Sequence, residues 1–560
     1  MTNYQFTGGT ICAPATIPGT GAISIIRVSG NEALAIADKV IDTKGVPIAE
    51  TEGYRLRYGT VFEADGSVLD NVIVSVFRAP HSYTGENSVE ISCHASRFIV
   101  NKILELLVNA GARIAAPGEF TRRAFVNGKM DLAQAEAVAD VIASQSAASH
   151  RVAMNQLKGG FSSELKVLRE KLLTMTSLLE LELDFSEEDV EFASRKELGQ
   201  LVDDSLTHIG RLTASFSRGN AIKNGVPVAI VGATNTGKST LLNALLGEER
   251  AIVSDIAGTT RDTIEETLNI DGILFRFIDT AGIRETDETI EKIGIDRTFK
   301  KLGEAAVVLG MTDLSRGEAT VLKDADFILS KVNEMGGVKN VAAENDGSET
   351  GGASPAETGG ASLAGTDGAS RTETGGAPLA ETSRASQHGH GDGQERKVVI
   401  LVNKCDVAGD FYRDDNSTGY GSGNDLGENL AEIGGNKNVN HDNNIVSLIE
   451  NKYDNCKVIP ISAKTGKGLS TLTKALGEIG SEITGSTDET LVTNVRHYEA
   501  LVRAASALDR VRAGLHIATL PPDLIAQDLR EALYHLGEIV GEISTDETLG
   551  NIFRNFCIGK

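Results

Sequence analysis

The stretch GATNTGKS, from Gly232 to Ser239, constrains the fold of this chain more than any other feature. It follows the apolar run VPVAIV and precedes TLLNALLG, so the sequence predicts a strand, a glycine-rich loop and a helix in that order. Such a loop curls so that backbone N–H groups at the helix N-terminus face phosphate oxygens. Lys238 would bring its charge to the β- and γ-phosphates, and the Ser239 hydroxyl would bind Mg²⁺. The residues predicted to bind the nucleotide here are Asn235, Thr236, Gly237, Lys238, Ser239 and Thr240.

Further motifs follow in the order that a GTP-binding domain requires. GTTRD offers threonine hydroxyls to Mg²⁺ and the γ-phosphate, and DTAG follows the predicted strand ILFRFI, which places Asp279 near the metal and the Gly282 N–H near the γ-phosphate. NKCD follows the predicted strand KVVILV, and the Asp406 carboxylate would accept from the N1–H and the exocyclic amine of guanine. SAK closes the base pocket after KVIPI. These motifs add Gly258, Thr259, Thr260, Asp279, Thr280, Ala281, Gly282, Asn403, Lys404, Asp406, Ser462, Ala463 and Lys464 to the predicted GTP site.

The sequence leaves the hydrolysis mechanism open. A Ras-type GTPase has a glutamine just after its DTAG-like motif to orient water, but this chain has Ile283 there and Arg284 next. Hydrolysis is therefore slow, or another group positions the water. The stretch RETDETIEKIG supplies candidate carboxylates, each of which has a solvated loop or helix face as its alternative interpretation: Glu285, Asp287, Glu288 and Glu291.

The order of predicted strands and helices along the chain indicates an α/β plus α architecture. The 560 residues correspond to three or four domains at about 150 residues each. Short β-rich runs (GAISIIRVSG, NVIVSVF) with the helix RFIVNKILELLVNAGA predict an N-terminal α+β domain. Helical spacing begins at Asp131, gives way to strands at VPVAIVG and returns after about Gly485. Neither helical flank can bury its apolar faces alone, so we expect a Ras-like P-loop domain inserted into one helical domain. The predicted boundaries are 1–126, 127–222, 223–484 and 485–560.

Two polar segments interrupt the predicted GTPase domain, near 337–396 and 408–450. Residues 349–388 read as five copies of an eight-residue unit with almost no large apolar side chains. Nothing in such a unit offsets the entropy of ordering it, which predicts a disordered insertion. Tolerated loop expansion is the interpretation we favour, and a docking segment is the alternative.

Composition restricts the partners and the compartment. Lys and Arg number 54 against 78 Asp and Glu, a net charge of −24, so the chain should repel nucleic acid unless a local patch or a partner grips it. Arginines of the last helical segment could contribute to such a patch, although a solvated helix face is the interpretation we favour: Arg496, Arg503, Arg510 and Arg512. No apolar run is long enough for a membrane span, and the N-terminus does not read as a signal peptide. The five cysteines form no C-x-x-C pair, which predicts a reducing, cytoplasmic environment.

Four stretches, in order, resemble the MnmE (TrmE) family of tRNA-modification GTPases. They are TIPGTGAISIIRVSG, PGEFTRRAFVNGKMDLAQAEAVADVI, GTTRD with DTAGIRETDETIEKIGIDR, and LGEIVGEISTDETLGNIFRNFCIGK. The resemblance covers nearly the whole chain except the two polar segments. It implies a helical domain interrupted by a GTPase domain, in agreement with the texture of the sequence.

The resemblance implies roles for further residues of the GTP site. K⁺ would be held by Asn235 and by carbonyls of Ser254, Ile256 and Thr259, in place of an arginine finger, within a nucleotide-contacting loop that also contains Asp255 and Ala257. Glu291 would orient the attacking water, and Mg²⁺ would fall to Ser239 and Thr260. Thr234 stands where the family usually has proline and Thr236 where alanine is common, but neither change removes a phosphate ligand.

The resemblance also implies a folate site in the N-terminal domain. A tetrahydrofolate derivative, in its 5-formyl or 5,10-methylene form, would meet Arg27, Glu90, Lys129 and Lys560, with Glu86 nearby. A carboxylate can recognise a pterin edge, and Arg or Lys suits the anionic folate tail. Without the resemblance these residues would read as surface charges. CHAS (Cys93 to Ser96) replaces the family's usual Cys-His-Gly-Gly in the pocket wall.

The C-terminal tail FCIGK raises the question of what Cys557 does. A prenylation signal fits Ile-Gly-Lys poorly, and a buried core cysteine beside Phe553 and Phe556 is an alternative. The resemblance implies that the tail reaches the folate pocket with Cys557 near the one-carbon unit, where its thiol would act if the neighbouring lysine lowers its pKa. A site role with or without nucleophilic chemistry is left open.

The resemblance implies a K⁺-dependent GTPase that acts as a homodimer with an FAD-dependent protein of the MnmG (GidA) type, in a heterotetramer or larger complex. The pair would add a carboxymethylaminomethyl group to C5 of the wobble uridine of certain tRNAs. One alternative is a non-catalytic GTP-dependent switch for RNA or ribosome assembly. Another is a folate-dependent methyltransferase acting alone.

Overall fold

The computed structural model describes residues 8–184, 194–249, 266–278, 305–334, 396–406, 445–453, 456–485, 489–517, 521–554, 556 and 559. Two compact units divide the chain. One comprises Met1–Val226, Asn269–Phe275 and Leu476–Lys560, and the other comprises Pro227–Leu268 and Arg276–Ala475. Of these two polar segments only residue 396 and residues 445–450 are described, and the latter begin the helix Ile445–Lys452, so the disorder expected up to residue 450 is wrong at that end. For the rest of both segments the expectation of disorder stays a prediction, as do the predicted domain boundaries.

The N-terminal region forms a seven-stranded sheet in the order β3-β4-β5-β6-β2-β1-β7. Its strands are β1 (Ile11–Pro14), β2 (Ile23–Ser29), β3 (Ile41–Asp42), β4 (Arg55–Phe62), β5 (Val68–Phe77), β6 (Ser88–His94) and β7 (Arg113–Ile114). Neighbours pair antiparallel except β1 and β7. Helices α1 (Ala33–Val40) and α2 (Arg97–Asn109) share a core with the inward side chains Val72, Val74 and Val76 of β5. The two strands and the helix predicted here are confirmed.

Helices of 8 to 25 residues follow this sheet along the chain, and the longer ones contribute to a helical bundle. They are α3 (Glu119–Val126), α4 (Leu132–Ala143), α5 (Ala147–Leu157), α6 (Gly160–Asp184), α7 (Arg195–Ala214) and α8 (Phe216–Asn224). Capping boxes start two of them: Asp131 pairs with Gln134 at α4, and Ser146 pairs with Ser149 at α5. The serine box explains why the helical pattern after Asp131 forms two helices.

The C-terminal region contributes the last three helices of the described chain, α13 (Val495–Leu515), α14 (Pro522–Val540) and α15 (Asp546–Arg554). Their apolar side chains join those of the earlier bundle in one core, in which Leu508 and Leu529 lie in the same cluster as Phe161, Leu172 and Val202. Helices far apart in sequence therefore bury each other's apolar faces.

The strand-rich block forms a six-stranded sheet in the order β13-β12-β11-β8-β10-β9. Its strands are β8 (Val226–Gly232), β9 (Glu266–Ile270), β10 (Ile273–Ile278), β11 (Val307–Asp313), β12 (Lys397–Asn403) and β13 (Cys456–Pro460). The pairs β8/β11, β11/β12 and β12/β13 are parallel. Helices α9 (Lys238–Glu249), α10 (Glu318–Glu334), α11 (Ile445–Lys452) and α12 (Leu469–Thr484) alternate with the strands. The almost continuous burial of β8, β11 and β12 is typical of central parallel strands covered on both faces.

Within the described ranges, no helix combines the length and the apolar character needed to cross a lipid bilayer.

Candidate functional site

The glycine-rich loop leaves β8 and enters α9, as the sequence predicts, and two of its glycines are required by close approaches. At Gly237, where φ is +99°, a Cβ would lie 2.4 Å from Nδ2 of Asn403. At Gly232 a Cβ would lie 2.3 Å from the backbone oxygen of Met311 in β11. Any side chain at these positions would push the loop away from the ends of β11 and β12.

Lys238 lies at the first residue of α9, and its ammonium group folds back over the loop. Its Nζ donates to the carbonyl oxygens of Gly232 at 2.9 Å and Ala233 at 2.8 Å. Burial lowers the pKa of Lys238. The loop is tightened further by the buried Thr236 hydroxyl, which donates to the Ala233 carbonyl at 2.9 Å. A cation and a helix N-terminus thus meet at one point, the arrangement that binds phosphate groups. The half-buried Ser239 and the exposed Thr240 follow in the first helical turn.

Asn403, at the end of β12, connects the phosphate-binding loop to the loop after β13. Its buried side chain donates from Nδ2 to the Thr236 carbonyl at 2.7 Å and accepts at Oδ1 from the Ala463 N–H at 3.0 Å. The nitrogen and the oxygen of one side-chain amide therefore fix two loops at the same edge of the sheet. This brings the GATNTGKS, NKCD and SAK motifs together.

Asp406 presents a carboxylate to solvent beside this junction. A hydrogen bond with the buried Ser462 lowers the pKa of Asp406, and the charge of the exposed Lys464 lowers it further. The group is ionised at neutral pH and faces outward, so it can accept two N–H groups from a planar base.

Lys404 and Asp313 form an ion pair that the sequence motifs do not reveal. The Lys404 Nζ lies 2.6 Å from Oδ2 of Asp313, the last residue of β11, and Lys404 has a left-handed backbone with φ +64°. Burial opposes ionisation of Asp313, but hydrogen bonds from Lys404 and Ser315 outweigh it and lower its pKa. The signal in the sequence was an aspartate ending an apolar run, MTD, between the strands that carry the nucleotide motifs.

The remaining predicted residues of the GTP site lie outside the described residues. They are Ser254, Asp255, Ile256, Ala257, Gly258, Thr259, Thr260, Asp279, Thr280, Ala281, Gly282 and Glu291. Cys557 and Lys560 also lie outside them.

In the N-terminal sheet, Arg27 and Glu90 face each other on β2 and β6. Arg27 donates from Nε at 3.0 Å and from Nη2 at 2.8 Å to Oε1 of Glu90. The guanidinium carbon lies 5.2 Å from the ring centre of Tyr83 and 5.7 Å from that of Phe120. With side-chain exposures of 15% and 25%, Arg27 and Glu90 are not the surface charges that the bare sequence suggests. The sequence alone did not identify the two aromatic neighbours of Arg27, Tyr83 and Phe120.

Lys129 and Glu86 differ from this pair. Lys129 is exposed, and its Nζ donates to the Pro80 carbonyl at 3.1 Å. Both oxygens of Glu86 accept from the buried Arg123 at 3.0 Å, and Glu86 also accepts from the Ser29 hydroxyl at 2.8 Å. Glu86 therefore forms an ion pair with the buried Arg123, next to the strand β2 that carries Arg27.

The wall residue Cys93 is buried, and its Sγ lies 3.5 Å from the Ser24 carbonyl oxygen. Burial raises its pKa to about 11. A thiol that stays protonated and inaccessible is a packing group.

The arginines suggested as an RNA patch are each paired with an acid, as follows: Arg496 with Glu136, Arg503 with Glu538, Arg510 with Asp528 and Glu531, and Arg512 with Asp509. Arg496 is largely buried, but Arg503, Arg510 and Arg512 are 45–49% exposed, so the solvated helix face describes these three residues and not Arg496.

The parallel strand pairs, the glycine-rich loop and the Asn403 junction are typical of one class, the P-loop nucleotide-binding proteins. Comparison with known proteins identifies the family. The model of the MnmE helical domain matches residues 132–557, and the model of the GTP-binding protein TrmE N-terminus matches residues 10–129. The chain belongs to the MnmE family.

Several relatives match almost end to end. A protein of Parabacteroides distasonis is 44% identical over 554 residues, which cover 98% of this chain and 100% of the relative. A protein of Bacteroides fragilis is 44% identical over 553 residues, covering 98% and 99%. One of Porphyromonas gingivalis is 42% identical over 565 residues, covering 100% and 99%. Each of these is named tRNA modification GTPase MnmE. The resemblance seen in the sequence motifs is confirmed.

Proposed function

We propose that this chain is a GTP hydrolase that acts in tRNA modification. The observation that carries the proposal is the Asn403 side chain, which joins the phosphate-binding loop to the base-binding loop at distances of 2.7 and 3.0 Å. The ionised Asp406 beside it selects guanine. The relatives named tRNA modification GTPase MnmE support the second part of the proposal.

The described residues fit the phosphate groups of GTP and its Mg²⁺. Lys238 would exchange the two loop carbonyls that it now contacts for phosphate oxygens. The Ser239 hydroxyl, in the first turn of α9, would bind Mg²⁺ together with Thr260, and the metal would neutralise charge on the phosphates.

Guanine recognition is tested by Asp406→Asn. The asparagine amide can donate to a carbonyl at position 2 of the base, where guanine has an amine and xanthine has an oxygen. We expect the variant to lose GTP affinity and to gain affinity for xanthosine triphosphate, measured by competition for a fluorescent nucleotide. Equal loss for both nucleotides would contradict a base-reading role.

In the proposed hydrolysis mechanism, K⁺ takes the place of an arginine finger and Glu291 orients the attacking water. Asn235 is exposed at the tip of the loop with φ +63°, a position open to a cation; the other proposed K⁺ groups, at Ser254, Ile256 and Thr259, lie outside the described residues. Replacing K⁺ with Na⁺ should sharply reduce GTP turnover by the full chain. Equal turnover in the two salts would remove the proposed role of Asn235.

Glu291→Ala should lose GTP turnover while GTP affinity persists, because a water-orienting carboxylate does not hold the nucleotide. Single-turnover kinetics and nucleotide binding separate the two effects. Lost binding would instead assign Glu291 a structural role.

The modification chemistry is the finer part of the proposal. A cytoplasmic homodimer would act with an FAD-dependent MnmG (GidA) type partner to place a carboxymethylaminomethyl group on C5 of the wobble uridine. A tetrahydrofolate one-carbon unit would bind beside Arg27, Glu90, Lys129 and Lys560. The partly buried Arg27–Glu90 pair is flanked by two aromatic rings. This arrangement supports the proposal of a planar ligand that offers a polar edge to the carboxylate and a negative charge to the guanidinium. Cys557 would act near that unit.

Mass spectrometry of tRNA nucleosides from cells lacking the protein tests the proposal as a whole. We expect the modified wobble uridine to disappear and to return with the wild-type gene, but not with Asp406→Asn. Unchanged nucleosides with altered ribosome profiles would favour the GTP-dependent switch. Folate turnover by the purified chain alone would favour the independent methyltransferase. Cys557→Ser should retain GTP hydrolysis and lose modification.

A further inference from the structure

The C-terminal helix α15 packs against the helices that follow the N-terminal sheet. Leu549 and Phe553 share a buried cluster with Leu132 and Ala135 of α4, and the half-buried Phe556 packs against the same cluster. The rings of Phe553 and Phe556 lie 5.3 Å apart. This end of the chain is therefore seated on a specific surface.

Gly118 is the residue of that surface at which the C-terminal segment makes a close main-chain contact. It precedes α3 as its N-cap residue, with φ +67°. A Cβ at Gly118 would lie 2.6 Å from the backbone oxygen of Phe553 and 3.0 Å from the Cβ atoms of Phe553 and Phe556. The nearest of these is a main-chain atom, which cannot rotate away as the end of a flexible side chain can. The helix can approach this closely only because residue 118 has no side chain.

A second close approach lies farther along the tail. Gly559 has φ +98°, and a Cβ there would lie 2.1 Å from the backbone oxygen of Pro14 in β1. The neighbouring residue Ala13 is paired with Arg27 across the strands, and Nη1 of Arg27 lies 3.5 Å from the Gly559 carbonyl oxygen. The tail contacts that begin at Gly118 thus end at the Arg27–Glu90 pair.

Helix α3 contacts both the tail and the Arg27 pair. Its Phe120 ring lies beneath the Arg27 guanidinium, and its Thr121 hydroxyl bonds to the hydroxyl of Tyr83 at 2.8 Å. Arg123 of the same helix is 2% exposed and bonds to Glu86 and Glu119. A helix fixed by these buried ion pairs is a rigid base for the tail.

We propose that Gly118 is a positioning residue, which seats Phe553 and Phe556 so that Gly559 lies at Arg27, beside the ligand site there. This inference rests on the proposed folate function for the nature of the ligand, but the seating itself does not. A side chain at position 118 would lift Phe553 and Phe556, and through them move Gly559 away from Arg27. The GTP site would be untouched.

The test compares Gly118→Ala with Gly128→Ala in the full chain. Gly128 has nearly the same φ, +68°, but a Cβ there meets nothing within 4 Å. Both variants place an alanine at a positive φ of nearly the same value, and only Gly118→Ala adds the steric clash. Hydrogen–deuterium exchange of the peptide 553–560 reports seating, 5-formyltetrahydrofolate binding reports the site, and GTP turnover reports the P-loop domain.

We expect Gly118→Ala to increase exchange of the C-terminal peptide and to weaken 5-formyltetrahydrofolate binding by about tenfold, because a preorganised site is lost. Gly128→Ala should leave both within about twofold of the wild type, and GTP turnover should be retained in both variants. Unchanged exchange in Gly118→Ala overturns the seating, and increased exchange with unchanged affinity overturns the positioning role. If the wild-type chain does not bind the folate at all, the proposed ligand fails, while the exchange comparison still decides the seating.

A second pair of variants tests the same contacts by changing the C-terminal segment, without any change in α3. Gly559→Ala places a Cβ against the Pro14 carbonyl, whereas Gly550→Ala, in α15, meets nothing within 4 Å. The first variant should weaken binding and the second should not. Equal behaviour of the two would overturn the proposal even if Gly118→Ala fails to fold.

Discussion

At the scale of single residues, three titratable side chains form one largely buried group: Glu136, Arg496 and His497. Glu136 accepts from Nε and Nη2 of Arg496, both at 2.9 Å, and from Nε2 of His497 at 2.7 Å. Burial opposes ionisation of Glu136, but His497 and Arg496 outweigh it and hold its pKa at about 2. Burial likewise lowers the pKa of His497, which the carboxylate only partly offsets. The group is a Glu–Arg ion pair with a neutral imidazole.

This group should make stability fall on acidification. His497 has a folded pKa below its ordinary 6.5, and Glu136 has one of about 2 against its ordinary 4.5. The unfolded chain therefore takes up protons first, so stability falls as the pH drops below 6.5 and falls further between 4.5 and 2.

Glu136→Gln should lower the free energy of unfolding by about 3–5 kcal/mol at neutral pH, because the buried Arg496 loses its counter-ion. It should also flatten the pH dependence between 4.5 and 2. Thermal unfolding followed by circular dichroism across this range measures both effects. Glu105→Gln, which removes an exposed ion pair with Lys102, is the matched control and should cost no more than about 1 kcal/mol. Similar losses in the two variants would contradict the analysis of the buried group.

Gly237→Ala should abolish tight nucleotide binding, because its Cβ would lie 2.4 Å from the Asn403 side chain that joins the two loops. Gly247→Ala, in α9, meets nothing within 4 Å and should leave binding unchanged while stabilising the helix by up to about 1 kcal/mol. Titration with a fluorescent GTP analogue compares them. Retained affinity in Gly237→Ala would mean that the junction does not support the site.

At the scale of elements, the sequence predicts a strand well where it ends in a functional motif. The strands β8, β10, β12 and β13 are short apolar runs rich in branched residues, and each is followed by a nucleotide motif. The central strand β11 carries no such motif, so nothing in the sequence analysis identified it. Asp313 at its end, and the ion pair with Lys404, follow from the spatial order of the strands, which local pattern does not encode.

Asp313→Asn should weaken GTP binding several-fold, because Lys404 would lose the partner that holds it at the end of β12. Asp326→Asn also removes an aspartate–lysine pair, with Lys452, but on α10 and α11. Isothermal titration should show an effect in the first variant alone. Equal affinities would place Lys404 outside the recognition of GTP.

For the N-terminal sheet, the sequence predicted two of the seven strands and the helix α2, but not the side chains that surround Arg27. Register brings Glu90 opposite Arg27 from a strand 63 residues away, and loop and helix geometry bring Tyr83 and Phe120 onto the guanidinium. Only long-range pairing decides these contacts. The resemblance identified the pair, and the physical reasoning alone would have left both residues on the surface.

At the scale of the whole molecule, residues 349–388 are expected to be dispensable for GTP hydrolysis. The described elements on either side, α10 and β12, are complete without them, and the repeat has no apolar face to bury. Deleting 349–388 should leave turnover within about twofold and the unfolding midpoint unchanged. A collapse of turnover would show that the repeat has an active role.

The shared helical core has a consequence for synthesis. Phe161, Leu172 and Val202 are made long before Leu508 and Leu529, with which they form one cluster. At ~5–20 residues per second, the first helices wait roughly a quarter of a minute to a minute for their partners to leave the ribosome. Throughout that interval α6 and α7 cover only part of each other's apolar faces, because the C-terminal helices are missing, while the intervening sheet can already fold. The nascent chain is therefore a natural client for a chaperone that holds amphipathic helices until translation ends.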